Sequence, residues 1–447
     1  MDKDKIKIIA TIGPATDSQK EIEKMLQEGA SIFRLNLSHA SSSYVLKVMK
    51  ILNKAKAKLK KEAVLFLDLP GPKIRTGVLP GGKLEIKAGK VYSFGPRGDI
   101  SVSAKIVNSI NPKEKILLSD GKIELKPLKR SGVNLLVKAL NSATLLSRQS
   151  VNASGLVYEA KYPTQKDVAG IKFGIRHGIR TFALSFVSNK EDVLRARKAA
   201  GKDSVLISKI ERKEAVDNFE DIAKASDIVM IARGDLGLNM DIARVPAIQK
   251  KLISSANRLS KPVIVATQML ESMTTEIMPT RAEVDDVFTA ISEGTDAVML
   301  SEETAIGQHP ALAVKMLRHI ISLSKITPST MNYPAIDERD ALIDSAVSLI
   351  KKTKINDAVV LTKSGRSAFR LARFHLGVRI FAISDSDAVL DALEFGRNII
   401  PVRIKKLGSY PAEPIKRIMS ENKLRRLILV SGLETSSRST ESIRIIE

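Results

Sequence analysis

The stretch that decides the fold is Val205–Glu211, VLISKIE, taken together with Ala232–Gly237, ARGDLG. The first is an apolar run whose end delivers a lysine and a carboxylate, Lys209 and Glu211. Alternate residues of an extended strand share a face, so the two side chains project together from the strand's C-terminal end. The second run closes another apolar strand, Ile228–Ile231, and is expected to hold Asp235 in a glycine-flanked loop. One ammonium and two carboxylates at consecutive strand ends suit a divalent cation and a phosphorylated substrate.

Outward from this pair, strand-like and helix-like segments alternate. Ile6–Ile12, Ser31–Leu37 and Val64–Leu67 are expected strands, separated by helices Gln19–Gln27 (capped by Asp17 or Ser18 and ended by Gly29) and Tyr44–Lys61. After Pro72 the texture changes to short strand-like runs with turns at Pro80-Gly81-Gly82 and Asp120-Gly121 and no helical period. That pattern predicts a small β-barrel inserted over 72–163. Alternation then resumes with helix Thr164–His177, strand Thr181–Phe186 and helix Lys190–Ala200, ahead of VLISKIE. Helix Glu214–Ala225 precedes Ile228–Ile231, helix Pro246–Arg258 precedes Pro262–Ala266, and helix Arg281–Ser292 precedes Ala297–Leu300. Three strands before the insertion and five after it make eight βα units over 1–71 and 164–330. Eight such units approach the roughly 250 residues of a (β/α)8 TIM barrel. An eight-stranded doubly wound sheet is the alternative, but no G-x-G-x-x-G follows any strand, which disfavours a dinucleotide-binding version. The polar singularities all fall at strand C-terminal ends, where barrel active sites are built. Past the turn residues Thr327-Pro328-Ser329, residues 331–447 alternate again and form a separate C-terminal α/β domain.

Composition narrows the class. Cysteine is absent, which excludes disulfides, thiolate metal sites and a cysteine nucleophile. No run approaches the roughly 20 apolar residues of a membrane span, and the start, MDKDKIKIIA, has no apolar leader pattern, so a cytoplasmic enzyme without membrane contact is expected. The net charge of +23 invites a nucleic-acid reading. Yet the basic residues are spread along the chain, with clusters at Lys54–Lys61 and Lys122–Arg130, and aromatics are not interleaved with them. Attraction of anionic metabolites is the expected use of the charge, with no nucleic-acid partner. No G-x-x-x-x-G-K-[ST] loop is present, which excludes a P-loop mechanism. On residue chemistry alone, Glu211 and Asp235 suit Mg2+ or Mn2+, and Lys209 and Arg34 suit a phosphoryl group.

The strand ends carry RLNLSH (Arg34–His39), LDLPGPKIRTG (Leu67–Gly77), SKIE (Ser208–Glu211), ARGDLG, ATQMLESM (Ala266–Met273) and MLSEETA (Met299–Ala305). In this order, with ATIGPAT at Ala10–Thr16, they closely resemble the pyruvate kinase family over essentially the whole chain. The resemblance implies transfer of phosphate from phosphoenolpyruvate to ADP in glycolysis. It implies that Glu211 and Asp235 ligate the divalent cation, that Lys209 stabilises the moving phosphoryl and the enolate, and that Arg34 binds phosphate. Ala232, Gly234 and Asp235 would supply backbone, and Thr267 a hydroxyl, around the substrate carboxylate. Thr267 and Ser301 become candidates for protonating C3 of enolpyruvate. Asn36, His39 and Arg75 match positions near the nucleotide, and the inserted domain would close as a lid. The family's monovalent-cation ligands have counterparts in Asn36, Ser38, Asp68 and Leu69. Many members carry glutamate in the run after the third strand where this chain has Lys73, an internal ammonium that can replace K+. The expectation is a K+-independent, archaeal- or thermophile-like member. Two further departures are Glu302, where glycine is common, and Gln149, where relatives place a basic residue. In the C-terminal domain Thr362, Lys363, Ser364, Gly365, Arg366 and Ser367 resemble the family's effector loop and are a candidate phosphate site, although a plain strand–turn–helix connection accounts for them as well. Relatives are typically homotetramers, so a homo-oligomer is expected. A Mg2+-dependent phosphoenolpyruvate/pyruvate lyase or mutase on the same barrel is the competing enzyme class, and a catalytically inactive metabolite or RNA sensor is a third reading.

Overall fold

The computed structural model describes residues 5–153, 162–324, 333–335, 337–407, 412–431 and 442–447; the turn expected at Thr327-Pro328-Ser329 lies outside them. Eight strands, numbered here within the barrel alone, are β1 Lys7–Thr11, β2 Ala30–Asn36, β3 Val64–Asp68, β4 Thr181–Leu184, β5 Val205–Ile210, β6 Ile228–Ala232, β7 Val263–Ala266 and β8 Ala297–Leu300. They close into one parallel barrel in the order of the chain, with β1 pairing β8. β4 to β8 are buried at every position, as parallel strands covered on both faces must be.

The helices between them follow their caps. Ser18 accepts from the Glu21 N–H, and Gly29 ends that helix in the left-handed region at φ 111°. Thr164 and Thr280 each form a capping box, with Asp167 and Glu283. The single helix expected over Glu214–Ala225 is two, Lys213–Asp217 and Phe219–Ala225. At the break Asn218 has φ −98° and ψ 17°, and its side-chain amide donates to the Ser188 carbonyl.

Between β3 and β4 the chain builds antiparallel sheets, one of five strands and one of two, Lys83–Ile86 with Ala143–Leu146. Among the described residues these two ladders do not close into one hydrogen-bonded barrel. Phe94, Leu125 and Val137 are fully buried in this domain's own core. It also contains an α-helix, Ala104–Ser109, capped by Ser103, where the sequence shows no helical period. Six residues are too few for periodicity to register.

The C-terminal domain has four parallel strands, Asp357–Leu361, Arg379–Ser384, Ile399–Arg403 and Leu427–Ser431, and an antiparallel edge strand, Ser442–Ile446. It seals the N-terminal end of the barrel. Phe395 is fully buried among inward-facing barrel residues, its ring 6.1 Å from that of Phe66. The Arg397 N–H donates to Asp296 at 3.0 Å, and Lys7 pairs with Glu394 at 3.2 Å. Among the described residues no helix is long and apolar enough to cross a membrane.

Phe395→Ala leaves a cavity under the barrel and should cost about 3–5 kcal/mol of stability. Chemical denaturation followed by circular dichroism measures it, and a loss under about 1 kcal/mol means that the floor collapses freely or is not packed as described.

Candidate active site

Strand register brings the charged residues to one level of the barrel mouth. Asn36 pairs with Asp68 across β2 and β3, Asp68 with Ala183 across β3 and β4, and Leu184 with Ser208 across β4 and β5. Lys209 and Glu211 do share a face: Lys209 Nζ lies 2.7 Å from Glu211 Oε1. Lys209 also lies 3.2 Å from Asp68 Oδ1 and donates to Ser185 Oγ at 2.9 Å. Arg34 reaches the same carboxylate, with Nη2 at 2.7 Å and Nε at 2.8 Å from Asp68 Oδ2. Glu211 Oε2 accepts from the Phe186 N–H at 2.7 Å. Glu211 is 0%, Asp68 2% and Lys209 7% exposed, so these charges exist almost wholly out of water.

Burial and partners divide the carboxylates. Burial favours the neutral form of Asp68, but Lys209 and Arg34 outweigh it and hold its carboxyl below the usual range. For Glu211 burial dominates and pushes it up to about 7; Lys209 opposes this and the Asp235 charge adds to it. Burial alone would lower Lys209, but Asp68 and Glu211 reverse the effect and hold the ammonium charged.

Asp235 is in a helix, not the expected loop. Arg233–Asn239 forms two turns with Ala232 as N-cap, and the Asn239 amide donates to the carbonyls of both Asp235 and Glu211. The Gly234 N–H donates to Thr267 Oγ1 at 2.7 Å, and a Cβ at Gly234 would stand 3.3 Å from that oxygen. Thr267 and Gln268 both have positive φ, 70° and 54°, which is costly for a β-branched threonine. The Ser301 hydroxyl is buried with no hydrogen-bond partner among the described residues, while its N–H donates to Glu303 at 2.6 Å.

The nucleotide-side candidates stand apart. His39 and Arg75 are exposed, and Arg75 donates to the Arg148 carbonyl within the inserted domain. Asn36 accepts from the Ser38 N–H, and Leu69 is buried, its N–H donating to the Ala183 carbonyl. Asp68, expected as a monovalent-cation ligand, also lies between Arg34 and Lys209. Lys73 is exposed and has no ion pair among the described residues; its ammonium lies 5.7 Å from the centre of the Phe186 ring. Lys73, Ile74, Asp120, Ser150, Asn152, Phe186 and Asp235 line a narrow cleft between barrel and insertion. The effector-loop candidates lie far along the chain, after strand Asp357–Leu361. The Thr362 hydroxyl accepts from the Gly365 N–H, and a short helix starts at Arg366.

Sequence reasoning missed the roles of Ser185, Arg233 and Glu303. Ser185 follows β4 and was available to the strand-end rule. Arg233 and Glu303 point inward from short helices and left no periodic signal. Among the described residues no three His, Cys, Asp or Glu side chains gather as a closed metal site. An open site fits better: Glu211 Oε1 is buried with Lys209 as its charge partner at 2.7 Å, and Asp235 is near enough to raise Glu211. Mg2+ is commonly held by one or two carboxylates with substrate oxygens completing its shell.

Hard carboxylates beside fixed cations at the mouth of a barrel, with an inserted domain against the rim, define a barrel phosphotransferase. A sequence model described as pyruvate kinase, barrel domain, matches residues 3–314, and one described as pyruvate kinase, alpha/beta domain, matches residues 340–446. The chain belongs to the pyruvate kinase family. It is 34% identical over 461 residues to the pyruvate kinase of Thermotoga maritima, covering 99% of each chain. It is 37% identical over 420 residues to that of Thermococcus litoralis, covering 89% of this chain and 88% of that one. The crystal structure of a pyruvate kinase from Cryptosporidium parvum superposes with a TM-score of 0.90 at 28% identity, covering 99% of this chain and 96% of that one.

Glu211 gives a pH signature. In the unfolded chain it loses its proton near 4.5, and in the fold near 7. Between those values the folded state holds a proton that the unfolded state has lost, so metal-free stability falls as pH rises through the window. The difference in Tm between wild type and Glu211→Gln, scanned from pH 4.5 to 7.5 in chelator, should change by several degrees. A flat difference removes the assignment.

Proposed function

We propose a division of labour at this rim for the pyruvate kinase reaction, transfer of the phosphoryl group of phosphoenolpyruvate to ADP with release of pyruvate and ATP. The observation that carries it is the buried Lys209 ammonium shared by Asp68 and Glu211, with Asp235 beside them at the seam with the inserted domain. Glu211 and Asp235 would hold Mg2+, or Mn2+, which when bound supplies charge for the phosphoryl and carboxylate oxygens. Lys209 faces the moving phosphoryl and then the enolate, and Arg34, fixed by Asp68, orients the phosphate. The first turn of the helix at Ala232, Gly234 and Asp235 and the Thr267 hydroxyl receive the substrate carboxylate. Ser301, whose buried hydroxyl lacks a protein partner, and Thr267 serve the protonation of C3. Asn36, His39 and Arg75 take the nucleotide side.

The insertion acts as a lid over 72–163, excluding water that would intercept the phosphoryl group. Its position supports this: Asp120, Ser150 and Asn152 face Asp235 across the cleft, and a Cβ at Gly121 would touch Leu238. The lyase or mutase reading gives no task to the lid. A homo-oligomer, read as a tetramer, in the cytoplasm completes the proposal; Ile242, Ile277 and Met278, at 72%, 61% and 65% exposure, are apolar surface available to an interface. The Thr362–Ser367 turn is kept as an effector phosphate site, with Arg366 exposed for it.

Two assays test the reading. Pyruvate formed from phosphoenolpyruvate should require ADP; ADP-independent turnover favours the lyase, and no turnover an inactive sensor. Lys73 places a fixed cation beside the cleft, so K+ should be dispensable. The rate in K+-free tetramethylammonium buffer should stay within about twofold of that with K+, whereas a tenfold fall rejects the role of Lys73.

A further inference from the structure

Arg233 is 8% exposed and does not line the cleft, and several of its donors converge on one strand end. Its Nη2 donates to the carbonyls of Thr267 at 2.9 Å and Gln268 at 2.8 Å, and its Nε to the Thr267 carbonyl at 3.3 Å. Asp286 neutralises it at 2.6 Å, and Nη1 also donates to Gln249 at 3.3 Å. The two carbonyls it binds belong to the consecutive residues that hold positive φ at the end of β7. Such a backbone persists only where its surroundings over-determine it. The next residue grips the other end of the same threonine, through the Gly234 N–H on Thr267 Oγ1. The residue after that is Asp235.

We propose that Arg233 is a positioning residue for proton transfer. With Gly234 it clamps Thr267 by carbonyl and hydroxyl at once, and it thereby fixes the distance between that hydroxyl and the Asp235 carboxylate. Three adjacent residues of one helical turn thus set the register between the metal side and the proton side of the site. The inference rests on the role given above to Thr267. A lysine cannot substitute, since one ammonium cannot span both carbonyls and the Asp286 carboxylate in a single plane.

The test compares Arg233→Lys, Thr267→Ala and the double variant, using overall kinetics and exchange of the pyruvate methyl protons with D2O in the presence of Mg2+ and inorganic phosphate. Arg233→Lys should lower kcat and exchange about 100-fold, the cost of roughly an ångström of misplacement, with the phosphoenolpyruvate KM within about threefold. Mn2+ affinity, read by electron paramagnetic resonance, should hold, which also certifies a folded rim. The double variant should be no slower than Thr267→Ala alone. Exchange lost in Thr267→Ala but retained in Arg233→Lys, or losses that multiply in the double variant, overturns the positioning role. Full exchange in Thr267→Ala overturns instead the role of Thr267 in the proposed mechanism.

Discussion

A charge taken out of water must find its opposite within hydrogen-bond reach, and this constraint organises the barrel mouth. Lys209, Asp68 and Glu211 are all buried, and desolvating any one alone would cost several kcal/mol. The chain meets this by stationing them at the ends of two strands, β3 and β5, whose register is locked by the closed barrel. Arg34 shares the Asp68 charge with Lys209, whose ammonium also reaches Glu211 and Ser185. Glu211 is the under-compensated member, which a divalent cation would relieve.

Much of this was legible in the sequence because it depends on short-range rules. The period-2 spacing of Lys209 and Glu211 predicted a shared face, and the two side chains meet at 2.7 Å. Strand count and the change of texture at Pro72 predicted the eight-stranded barrel and its interruption. Capping residues placed the ends of the first helix, at Ser18 and Gly29. The parts that were not legible depend on contacts distant in sequence. Asp68 bridges Arg34, 34 positions away, and Lys209, 141 positions away, and nothing local in LDLPGPK announces it. The helix holding Asp235 has two glycines in seven residues, so propensity pointed to a loop; its Asn239 contacts to Glu211 and Asp235 override that preference.

The arrangement also keeps two cores apart. The candidate site residues sit on strand ends and first helical turns, while the inserted domain has its own core and meets the rim through a narrow seam. The barrel and the insertion accordingly pack as distinct clusters.

The Phe395 plug bears on how the chain is made. The last barrel strand ends at Leu300, so about 95 residues must still be added before the side chain that fills the barrel's base exists. At typical synthesis rates that interval is roughly 5–20 seconds. Throughout it, the apolar lining around Ile9, Phe66 and Met230 has no floor, and the nascent barrel presents an open, greasy ring to the ribosome exit and its attendant chaperones. The C-terminal domain is therefore also the last piece of the first domain's core, and the two must mature together.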